Sequence, residues 1–164
     1  MSYFRFFLMI AASTVVMFGL MYLNTWALDH VFFSQTRTWM ALLMGATMAI
    51  VMLAFMWEMY EDTRMNWAII VGSAVLFFAS LYLIRSQETV SDVAYMRGMI
   101  PHHSIAVMTS TRAHISDPRV RKLADGIIEA QVREIGEMKE IIRDLESHPP
   151  AANAPDLPPG RFGQ

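Results

Sequence analysis

The chain contains no cysteine, which excludes disulfides, thiolate metal sites and cysteine nucleophiles. One half of it is also poor in charge. Only Arg5, Asp29, Arg37, Glu58, Glu61, Asp62 and Arg64 carry charge within residues 1–84, although the whole chain holds 13 Lys+Arg and 15 Asp+Glu. No basic stripe is present, so nucleic acid is not an expected partner, and a net charge of −2 points to no other class. What the chain has in excess is apolar: 54% of its 164 residues are hydrophobic and the mean hydropathy is +0.32. A soluble chain of this length rarely has that balance. The sequence therefore describes two physical objects, one suited to lipid and one to water.

Methionine is the outlier, with 15 residues. Methionine without cysteine suits an oxidising compartment, where thioethers bind soft metals and no disulfide can form. Filling membrane helices is the plainer use of the same side chains.

Three apolar runs, roughly Phe4 to Leu23, Thr38 to Trp57 and Trp67 to Ile84, each approach the ~20 residues that a bilayer core demands. Trp26, Trp39, Trp57 and Trp67 all lie near the ends of these runs, where an indole meets both hydrocarbon and water. The first run lacks a small-residue cleavage site and reads as an uncleaved anchor. Three spans put the amino terminus and the carboxy-terminal half on opposite sides. They also put the 24–38 loop on the side of that half. Positive charge is balanced, with Arg5 and Arg64 on one side and Arg37, Arg85 and Arg97 on the other, so it does not orient the chain. In the second span Ala41, Gly45 and Ala49 suit close helix approach. Met40, Met44, Met48, Met52 and Met56 form a second row that drifts ~40° per step. That row reads either as adaptable packing or as a thioether ladder for a soft ion.

Residues 89–115 and 118–146 read as two helices. Thr89 and Asp92 resemble a capping box, and Asp117-Pro118 suits a helix start. A connection of two or three residues makes the helices antiparallel neighbours. After Ser147 come five of the seven prolines and no apolar period, the composition of a disordered tail. On the second helix Val120, Leu123, Ala124, Ile127, Ile135, Ile141, Ile142 and Leu145 share one face with Gln131, Glu134 and Met138. On the first, Met96, Met99, His103, Ser110 and His114 fall within about 80°. Antiparallel pairing sets His103 near Gln131, Met99 near Glu134 and Met96 near Met138. Buried His and Glu need a partner or a metal. A hydrogen-bonded core histidine and a metal site both answer that need. Pro101 can shift the phase of the helix and turn His102 toward the same place. Thioether with imidazole favours Cu(I) or Ag(I). Zinc more often takes Cys or additional His, and a di-iron site wants a Glu-x-x-His pair that this hairpin lacks.

The string Asp92-x-x-Tyr95-Met96-x-x-Met99-Ile100-Pro101-His102-His103-x-x-Ala106-x-Met108 resembles the signature of the ferritin-like family catalogued as domain of unknown function 305. So does Leu123-Ala124-x-x-Ile127-Ile128-x-x-Gln131-x-x-Glu134-Ile135-x-x-Met138. The likeness covers about residues 88–146. It implies ferritin-like helical packing, an envelope location and copper binding through Met and His, with no defined catalytic reaction. The ligands it implies are Met96, Met99, His102, His103 and Met138, with Gln131 and Glu134 as candidates.

The expected protein is all-α, three transmembrane helices followed by an antiparallel ferritin-like helical hairpin. Residues 1–86 form the anchor, 87–146 the metal-binding hairpin and 147–164 the tail. The expected function is copper or silver binding for buffering, resistance or hand-over, without catalysis, at a bacterial inner membrane with the hairpin on the periplasmic side. A homodimer or higher oligomer and a metal-donor or acceptor protein are the expected partners besides the bilayer. Asp29 and His30 are accessory ligand candidates on the same side. A transport path along the Met ladder, or a structural module without metal, are the alternatives.

Overall fold

A computed structural model describes residues 2–151 and 154–157. Half of the proline-rich tail anticipated at 147–164, residues 152–153 and 158–164, lies outside the described residues. Among the described residues the chain is all-helical: α1 Tyr3–Leu20, α2 Gln35–Phe55, α3 Thr63–Ser86, α4 Asp92–Arg112 and α5 Pro118–Ser147, with single 3₁₀ turns at Leu28–His30 and Trp57–Met59. Helices α1, α2 and α3 are each long and apolar enough to cross a membrane.

Side-chain caps set the helix starts. Ser34 accepts from the Arg37 amide at 3.3 Å at the head of α2. Asp62 Oδ1 accepts from the Arg64 and Met65 amides at 3.0 and 3.1 Å at the head of α3. Each bond satisfies an amide that the helix itself cannot pair. The start of α4 departs from expectation: Ser91 is its cap, accepting from the Ala94 amide, and Thr89 is not used. Asp117 caps α5 as the sequence indicates, with Pro118 in the first turn.

Helix α2 packs against both α1 and α3. Ala41, Gly45 and Ala49 are buried, and a Cβ on Gly45 would sit 2.5 Å from Thr14 Oγ1 of α1. The small-residue row is thus what lets α1 approach. At the end holding the amino terminus, Phe6, Ala49, Leu53, Tyr60 and Ile69 form a core. Tyr3 Oη donates there to Asn66 Oδ1 at 2.8 Å, and Asn66 Nδ2 donates to the Tyr60 carbonyl. Elsewhere α1 and α3 turn apolar side chains outward, Phe4, Val15, Val75 and Phe78 among them. Such a surface is stable facing hydrocarbon.

Helices α4 and α5 lie antiparallel. His103 meets Glu134, Arg97 pairs with Glu146, and Arg121 donates to the Ser110 carbonyl. This register is about one helical turn away from the sequence expectation, which paired His103 with Gln131. The connection spans residues 113–117 rather than two or three positions, because α4 stops at Arg112, and the longer turn shifts the pairing. The helix runs unbroken through Pro101. The hairpin is tied to the 24–34 loop. The Trp26 amide donates to Ser104 Oγ at 2.7 Å, and Lys139 Nζ donates to Asp29 Oδ2 at 2.6 Å.

Candidate metal-binding site

Helix α4 presents two functional flanks. The one facing α5 carries Met96 and Ile100, which form a buried cluster with Ile135 and Ile142. Met138, Phe32, Val93 and Leu145 pack around it. One turn along, His103 enters the same interface with its side chain 12% exposed. Its Nδ1 lies 3.0 Å from the Met99 carbonyl oxygen, and its Nε2 lies 2.9 Å from Glu134 Oε2. Both partners are acceptors. The pair is fully satisfied when both ring nitrogens carry hydrogen.

That geometry has chemical content. A backbone carbonyl on Nδ1 orients the ring and leaves Nε2 as the nitrogen able to bind a metal. In the described structure Glu134 occupies that direction. The Glu134 side chain is 40% exposed, so it can swing into water when another group takes Nε2.

The other flank of α4 faces the ends of α1 and α2. There Met99 and His102 line a cavity of about 410 Å³, together with Met21, Arg37 and Met40 from α1 and α2. His102 is an exposed residue whose ring stands edge-on to His103, centroids 6.1 Å apart.

The residues singled out from sequence therefore fall into groups. His103 meets Glu134 between α4 and α5, and Met96 and Met138 belong to the apolar cluster in the same interface. Met99 and His102 line the cavity on the other flank. Gln131 lines a shallow groove on α5 beside Leu123 and Ile127. Among the described residues no three His, Asp or Glu side chains converge.

Sequence reasoning missed two features. The first is Ser104, fully buried on α4, which receives both the Trp26 amide and Nδ1 of His30 at 2.9 Å. A serine in a helix gives no signal of such a role. The second is the pairing of Met21 and Met40 with Met99 around one cavity, which depends on how α4 lies across the ends of α1 and α2. His30 itself is half-buried, and burial pushes its imidazole below the ordinary histidine range. The Lys139 charge adds to that shift, and the Asp29 carboxylate opposes it. The hydrogen bond from Lys139 holds the Asp29 carboxyl below the usual carboxylate range.

Comparison with known proteins adds the following. Residues 90–158 match the family described as domain of unknown function (DUF305). An uncharacterized protein of Acanthamoeba polyphaga mimivirus is 32% identical over 139 residues, covering 82% of this chain and 89% of that protein. That alignment is longer than the family match. No solved structure matches the chain.

Proposed function

The chain belongs to the DUF305 family, and on that premise we propose that it binds a soft monovalent ion, Cu(I) or Ag(I), at a cell envelope. It buffers the ion or hands it to a partner protein and catalyses no reaction. The observation that carries this reading is the imidazole of His103. Its Nδ1 is committed to the Met99 carbonyl and its Nε2 points into the interface where α5 packs. The thioethers of Met96 and Met138 belong to the adjoining cluster, and thioether with imidazole is a donor set that suits Cu(I) and Ag(I). His103, Met96 and Met138 would hold the ion there. Glu134 would leave Nε2 as the ion arrives.

In this reading α1, α2 and α3 anchor the chain in a bacterial inner membrane, and the hairpin with the 24–34 loop faces the periplasm. A reporter fused after Gln164 tests the orientation. Self-association belongs to the same proposal. Val120, Leu123 and Ile127 of α5 are exposed, and two helices alone bury little core. A second hairpin across a two-fold axis would cover them and complete a ferritin-like four-helix arrangement.

A structural role without metal is the competing reading, and the closed His103–Glu134 pair favours it. Competition for Cu(I) between a chelator and the purified full chain separates the two. The His103→Ala, Met138→Ala double variant is expected to bind at least about tenfold more weakly, a loss of about 1.4 kcal/mol. Unchanged affinity with helicity retained would leave the structural reading standing.

A further inference from the structure

We propose that the cavity between α4 and the adjoining ends of α1 and α2 is a second soft-ion site, with Met21, Met40, Met99 and His102 as its donors. The proposal rests on the reading that this chain binds Cu(I) or Ag(I), and it places part of that binding against the membrane helices.

Four observations carry it. The cavity holds about 410 Å³ and is lined by three methionines and one histidine drawn from three separate segments of the chain. Met21 caps the end of α1, Met40 lies in the second turn of α2, and Met99 and His102 lie on α4. Second, the two adjacent histidines differ in availability. His103 has both ring nitrogens occupied. Among the described residues His102 has only the ring contact with His103 and no hydrogen bond or ion pair. Its nitrogens are therefore the ones free to bind without displacing a partner. Third, methionine side chains are flexible enough to converge on an ion from different helices, and thioethers with an imidazole prefer a soft monovalent cation.

The fourth observation is Arg37, the charged group on the cavity wall. Its Nη1 donates to the Met21 carbonyl at 2.6 Å, and its guanidinium lies 4.4 Å from the Tyr22 ring centroid. It is thus held toward α1 and not free to swing away. Repulsion from a fixed positive charge is twice as large for a divalent as for a monovalent ion at the same distance. The wall therefore selects against zinc and against Cu(II). Met40 is also the first methionine of the row that continues along α2. An ion in this cavity sits between the hairpin, where the first site lies, and the membrane helices.

The test uses the full chain in lipid nanodiscs and Ag(I), which undergoes no redox change. Calorimetric titration gives the binding phases, and X-ray absorption at the silver edge counts sulfur neighbours. Met21→Leu, Met40→Leu removes two thioethers with little change of volume. It is expected to lose one of two binding phases, or to weaken it at least about tenfold, and to lower the sulfur count. The phase that depends on His103 and Met138 should stay. His102→Gln, at an exposed position that folding does not require, should weaken the same phase if the methionine variant proves unstable. Titrations of both variants identical to wild type would overturn the cavity site and leave the hairpin site intact. Equal displacement of the affected phase by Zn(II) would overturn its soft-ion character. A wild-type chain that binds no Ag(I) would overturn both sites together.

Discussion

Ser104 Oγ lies 2.9 Å from Nδ1 of His30, joining the middle of α4 to the loop that connects α1 and α2. The same hydroxyl accepts from the Trp26 amide at 2.7 Å, and the serine is fully buried. One small side chain therefore seats the loop between the membrane helices against the hairpin. Ser104→Ala leaves the Trp26 amide without its acceptor, at a cost of about 1–3 kcal/mol. Hydrogen exchange at Trp26 is expected to accelerate correspondingly, while exchange in the middle of α5 stays slow. Unaltered protection at Trp26 would show that the loop is held by something else.

The same contact is expected to respond to pH. His30 has its imidazole lowered by burial and by Lys139. A lowered folded value means that the unfolded loop binds the proton more readily. The contact is therefore at full strength above the unfolded value of about 6.5 and weakens as pH falls through the folded value. The groups facing this ring are the Asp29 carboxylate, 3.9 Å from Nε2, and the Lys139 ammonium that pairs with it. Acidification from neutral should expose residues 24–34 to exchange before α4 and α5 unfold, and His30→Gln should flatten that response.

Glu134 tests what occupies Nε2 of His103. Glu134 Oε2 lies 2.9 Å from Nε2, so an ion binding there must displace the carboxylate. Glu134→Gln weakens the contact that the ion has to displace. Cu(I) affinity near neutral pH should hold or rise. A loss of about tenfold or more, the size seen when an orienting partner is removed, would instead make Glu134 part of the bound state.

In the membrane half, Gly45 is the most demanding position. A Cβ there would meet Thr14 Oγ1 at 2.5 Å, and that hydroxyl is pinned by donating to the Ile10 carbonyl at 2.8 Å. Gly45→Ala is expected to lower stability by about 1–3 kcal/mol through overpacking. Thr14→Ala in the same chain should recover most of it. Thermal unfolding of the single and double variants in one detergent gives the comparison.

Self-association has its own readout. Leu123 is 67% exposed and Val120 50% exposed on α5, although they continue the apolar stripe of a helix whose Ile135 and Ile142 are buried. Leu123→Glu should convert an oligomer to monomer in mass measurements in detergent. A wild-type chain that is monomeric with its hairpin folded would remove the proposed dimer.

The element pattern was legible from residue types because each element announces itself locally. The three apolar runs, the Ala41–Gly45–Ala49 row and the Asp117-Pro118 start depend on neighbours within a few positions; the structure forms helices over the runs, buries the row and starts α5 at Pro118. Helix ends were less legible. Ser91 and Thr89 are equally good caps in isolation, and packing of α4 chose the first. Burial on α5 was also beyond local reading, since an apolar stripe states what should be covered but not by what.

The candidate site divides the same way. Spacing and the family resemblance singled out Met96, Met99, His102, His103, Glu134 and Met138 as candidates. Which of them meet was decided only by the fold. A turn spanning residues 113–117 slides α5 by about one helical turn, so His103 finds Glu134 instead of Gln131. Met99 and His102 face the opposite flank, where Met21 and Met40 join them from positions about 60 to 80 residues earlier. Side-chain direction around a helix repeats every 3.6 residues and can be read along the chain. The rotation and height of one helix against another are set by loop length and by contacts such as that of Gly98, where a Cβ would come within 3.2 Å of Ser34 Oγ. Those contacts exist only once the chain has folded.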